Sequence, residues 1–245
     1  MEASGVHPGR FREYVAQQHE AHPDSWTTQL RWFATACVVG FAVPFLGSSV
    51  LDLQHDVYLG IYFLVVLALL WAYVSATQLD VRTVLTRNWK PGVVLGLVFG
   101  FLLVKNVYSE GATPHPDGVY FWFELVWRGA IYGAVDALLL SVLPCVIVYR
   151  SLGGPLQTWR KRLAYFGCAL ALVATVTAVY HLGFSQYRED GVRAPETGNT
   201  IISMPMLLTA NPIGSVADHM AMHISAVAHT YETDVRLPPP AKAHK

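Results

Sequence analysis

The chain has 245 residues, 53% of them hydrophobic and 14% charged, with a mean hydropathy of +0.35. That composition excludes an ordinary soluble domain and points to an all-α protein of the lipid bilayer. Seventeen basic residues offset 17 acidic ones, which excludes the strongly basic surface that a nucleic-acid partner requires.

Residues 1–30 are polar and read as a cytosolic arm, in which 10–20 could lie as a helix on the membrane surface. No short apolar segment follows a basic start, so no cleavable signal peptide is expected. Hydropathy then predicts a first span over 32–50, with Pro44 inside it, and a second over 57–77. The polar loop between them holds Asp52, His55 and Asp56, and a basic loop with Arg82, Arg87 and Lys90 follows. The third span, 92–104, repeats Gly92, Gly96 and Gly100 at every fourth position. Such a small-residue face suits close helix packing.

The fourth span, 120–149, carries Glu124, Arg128 and Asp136 in an otherwise apolar run. Each charge at mid-bilayer costs about 2.5–3.5 kcal/mol on insertion scales, so each needs a partner or a task. Glu124 and Arg128 share a helix face and can pair; no partner for Asp136 is evident. A basic stretch, Arg150 to Arg162, precedes the fifth span, 163–184, which ends in Tyr180 and His181. The last apolar region is interrupted by Asn211-Pro212, a cap followed by a first-turn proline. Residues 201–210 therefore read as a short interfacial or re-entrant piece, and 212–229 as the sixth span. Three prolines mark 231–245 as a disordered tail. Cys37, Cys145 and Cys168 follow no metal or disulfide spacing and read as core thiols.

These elements predict a six-helix transmembrane domain over 31–230, multi-pass in the cell membrane. The basic residues collect on the side of the N-terminus, so both termini are expected in the cytosol. In that topology Glu124 lies about 8 Å and Arg128 about 14 Å below the outer face, with His219 about 10 Å and His223 about 16 Å below it. His181 would sit near the same face. An acid and several imidazoles then converge in the outer half of the bundle. A carboxylate of raised pKa beside an imidazole can activate water, and an arginine or second histidine can stabilise an oxyanion.

The heptapeptide Phe123-Glu124-Leu125-Val126-Trp127-Arg128-Gly129 resembles the first motif of the CPBP family of intramembrane glutamate proteases, Glu-Glu-x-x-x-Arg-Gly. Phe123 stands where that family has its first glutamate. The resemblance implies a metal-independent peptidase, or a diverged relative, acting on a membrane protein or peptide. Glu124 would be the base, held by Arg128, with His181 and His219 or His223 as the later-motif histidines. No cofactor is expected on that reading. Two alternatives stand beside it: a metal- or haem-binding redox subunit using His181, His219 and His223, and a non-catalytic assembly or transport component with a structural ion pair.

Overall fold

The computed structural model describes residues 25–232 and is helical throughout, with no strand among them. Helix α1 spans Trp26–Pro44 and opens on Ser25, whose hydroxyl accepts from the Thr28 N–H at 3.2 Å. The expected arm thus ends at this cap; residues 1–24 lie outside the described part, as does nearly all of the expected tail. Pro44 does not stop the helix, which continues as a π-helical turn over Phe45–Val50. Helix α2, His55–Thr77, is capped by the Gln54 side chain. A short α3, Val81–Thr86, is capped by Asp80. Helix α4 spans Trp89–Tyr108, and α5 runs unbroken over Gly118–Ser151. Helix α6 is Trp159–Leu182, α7 is Ser185–Asp190, α8 is Arg193–Thr209 and α9 is Ile213–His229.

Five of these helices are long and apolar enough to cross a membrane: α1 with its π-helical extension, α2, α4, α5 and α6. Their outward faces expose Leu64, Trp71, Leu97 and Phe101, an apolar surface that lipid covers and water does not favour.

The C-terminal third departs from the expected six spans. Residues 193–200 are helical, and α8 returns along α6 in the antiparallel sense. Asn199 Nδ2 donates to Thr177 Oγ1 at 2.6 Å, and Tyr165 Oη donates to the Met206 carbonyl at 3.1 Å. Ala210 adopts a left-handed conformation (φ 53°) and reverses the chain. Asn211 fastens that turn, donating to the carbonyls of Val84, Leu85 and Arg87 and accepting from the Ile213 N–H. Helix α9 then runs parallel to α4 and ends beside residues 110–113, where His229 Nε2 pairs with the Glu110 carbonyl at 2.9 Å.

The described chain therefore passes seven times through the bundle, and Trp26 and His229 lie at opposite ends. Both termini, expected on one side from loop charges, lie outside the described residues. One end gathers the start of α1, α3, the start of α4 and the α8–α9 turn. The other gathers 51–54, 109–117 and 183–192. The polar character of α8 has a simple cause. Asn199 and Ser203 face inward, and Ser141 of α5 bonds both, at 3.2 and 2.7 Å. The first turns of α8, with Arg193 and Thr197, are exposed at one end of the bundle.

Helix α9 is the axis of the molecule. A Cβ on Gly96 would stand 2.7 Å from the Cα of Gly214, and one on Gly92 or Gly100 would meet Asn211 or Asp218. From the other side Gly129 and Gly133 of α5 abut Ile224 and Met220. The expected glycine seam is real, and its partner is α9.

Candidate functional site

Asp136 projects from α5 between two π-helical stretches, Leu125–Ile131 and Leu138–Val142. Such widened turns change the rotation per residue and recur at functional sites. Its Oδ1 accepts a hydrogen bond from Tyr62 Oη at 2.6 Å, and its Oδ2 lies 3.3 Å from His219 Nε2. Gly133, one turn earlier, brings this about. A Cβ there would stand 2.8 Å from the Met220 Cα and 3.0 Å from the His219 carbonyl oxygen, so its absence lets α5 approach α9 until a short side chain reaches across.

His219 and His223 are one turn apart on α9, their rings stacked with centroids 5.0 Å apart and planes at 11°. Asp136, His219 and His223 are all buried, and their ligand atoms lie within 4.8 Å of one another. His219 Nδ1 is buried without a hydrogen-bond partner. Tyr132 stands edge-on to His223 at 4.7 Å, and its hydroxyl pairs with that of Tyr180 at 2.9 Å.

A cavity of about 1130 Å³ adjoins this cluster and is lined by Asp136, His181, His219 and His223. Phe99, Leu102 and Met222 give it an apolar wall, and Asn106, Gln186 and Arg193 stand at the end where α9 finishes. His181 Nδ1 donates to the Thr177 carbonyl at 2.8 Å, which assigns the acceptor lone pair to Nε2.

Glu124 and Arg128 are elsewhere. Glu124 Oε2 lies 3.4 Å from Arg128 Nε and accepts from Tyr231 Oη at 3.3 Å, while the guanidinium sits over the Tyr231 ring at 4.9 Å. Neither residue lines the cavity. Twelve residues of α5 separate Glu124 from Asp136, roughly 18 Å along the axis. The expectation of one pocket holding Glu124 with the histidines is thus corrected: the three histidines share a cavity, and the acid among them is Asp136. The depths expected for His219 and His223 are also measured from the wrong end, because α9 runs in the opposite direction. Tyr62 escaped sequence reasoning altogether; a lone tyrosine in an apolar span carries no signal of its own.

Fold and site together define a membrane-type α-helical bundle with a buried carboxylate–imidazole centre. No family model matches the chain, and no curated protein or solved structure matches it.

Proposed function

We propose that this protein is an intramembrane hydrolase whose water-activating centre is Asp136 with His219 and His223, and that Glu124 and Arg128 form a structural clasp. The carrying observation is the crowding of one carboxylate and two imidazoles against a cavity that His181 also lines. The carboxylate–imidazole pair accepts a proton from water. The water oxygen attacks a carbonyl carbon, the carbon–nitrogen bond breaks, and the proton passes to the leaving amine. The apolar wall fits a membrane-embedded peptide segment as substrate.

A haem subunit is less well supported. Rings stacked at 5.0 Å on one helix cannot stand on opposite faces of a porphyrin. In the cell membrane the end bearing Arg82, Arg87, Lys90, Arg150 and Arg160 faces the cytosol. The Asn106–Arg193 mouth then opens to the other side.

The test is cleavage of transmembrane peptides by purified protein in nanodiscs, read by mass spectrometry as oxygen-18 taken from labelled water into new C-termini. Asp136→Asn is expected to lower the rate about 10²–10⁴-fold. Cleavage by that variant at the wild-type rate, or no label uptake by the wild type, overturns the reading.

A further inference from the structure

We infer that Asp136, His219 and His223 form a binding site for one divalent transition-metal ion of the zinc type. The inference rests on the reading of this cavity as the reactive centre; with the ion in place the three side chains are its ligands, and the ion takes over from the carboxylate–imidazole pair the task of lowering the pKa of the water.

The distances suit two ligands of one ion as well as they suit a hydrogen-bonded pair. A charge-assisted N–H···O bond is about 2.7–2.9 Å long, and Asp136 Oδ2 and His219 Nε2 stand 3.3 Å apart. Two ligands at about 2.0–2.1 Å from a tetrahedral ion are separated by roughly 3.4 Å. The third ligand falls within the 4.8 Å span of the set, so a shift of up to about 1.4 Å in the imidazoles brings it to tetrahedral spacing.

The supporting groups also fit. Tyr62 holds the far carboxylate oxygen at 2.6 Å and leaves Oδ2 to the ion. Tyr132 braces the His223 ring. Outer contacts of this kind orient metal ligands. A structural ion pair would need one imidazole, whereas two stacked at helical spacing beside one carboxylate make a chelating set.

Charge balance selects the ion's state. One carboxylate and two neutral imidazoles carry a single negative charge. A divalent ion with a bound hydroxide contributes one positive charge, and the centre is neutral where isolated charge is costly. Three protein ligands with a fourth position left to water is the arrangement of catalytic zinc sites.

Purified full-length protein in detergent, stripped with chelator, is titrated with cobalt(II) and then with zinc. The expected result is one cobalt per chain with visible bands of a four-coordinate site, displaced by one zinc. Asp136→Asn and His223→Gln are expected to weaken uptake at least 10-fold. Tyr62→Phe, which keeps all three ligands and the packed ring, with its folding checked by thermal unfolding of the same sample, is expected to weaken it about 10–100-fold. Absence of a cobalt band in the wild type, or uptake unchanged in the ligand variants, overturns the inference. Stoichiometric cobalt without peptide cleavage would retire the hydrolase and keep the site. Cleavage by stripped protein that takes up no cobalt would do the reverse.

Discussion

Gly96 and Gly214 lie so close that a Cβ on the first would stand 2.7 Å from the Cα of the second. This contact sets the depth of α9 against α4, and with it the position of His219. Gly96→Val is expected to destabilise the protein by about 1–3 kcal/mol through overpacking. Gly167→Ala, where nothing lies within 4 Å of the added carbon, is expected to be stabilising by about 0.5–1 kcal/mol. Thermal unfolding in one detergent, followed by tryptophan fluorescence, compares the two. Equal melting temperatures would contradict the seam.

The Glu124–Arg128 pair is buried at 3.4 Å. Losing one member strands a charge, and a cost of about 3–5 kcal/mol is expected for Glu124→Leu or Arg128→Met alone. The double variant is expected to return to within about 1 kcal/mol of wild type, since replacing both partners is often near neutral. A thermodynamic cycle from chemical denaturation measures this. Additive losses would give Glu124 a role outside the pair.

Asn211 joins the α8–α9 turn to α3 through three carbonyls and caps α9 at 3.0 Å. Asn211→Ala is expected to lose about 2 kcal/mol, a capping bond plus unsatisfied buried carbonyls. Faster hydrogen exchange in Val81–Arg87 is the expected signature; exchange confined to the α9 start would show that the clasp holds nothing.

Asp80 sits outside the membrane-spanning helices. Hydrogen bonds from the Thr83 hydroxyl at 2.6 Å and the Thr83 N–H at 3.1 Å hold its carboxyl below the usual range. A depressed folded value means a contribution present above the unfolded pKa and lost as pH falls through the folded one. Asp80→Asn still caps the helix and is expected to flatten the decline in melting temperature between neutral and acid pH. An unchanged decline would assign it to other carboxylates.

Much of the site was visible in the chain as residue types. The glycines at every fourth position announced a close contact, and Glu124, Arg128, Asp136, His181, His219 and His223 stood out as polar groups in apolar runs. Their grouping was not visible. Helical spacing ties Glu124 to Arg128 within one turn. Eight residues further on, the same spacing puts Asp136 on roughly the same side as Arg128, and the π-helical turn over Leu125–Ile131 changes that rotation.

Hydropathy alone determined the α-helical bundle, its five long apolar helices and the basic segments at one end, because lipid exposure must be written in side chains. It could not determine the course of α8 and α9. Hydropathy records which faces meet lipid; α9 and the second half of α8 meet mostly other helices, and the first turns of α8 are polar and exposed at the end of the bundle, so neither stands out as a span. Only the tertiary structure decided that α9 runs parallel to α4. That direction brings its two imidazoles to Asp136, leaving Glu124 to pair with Arg128.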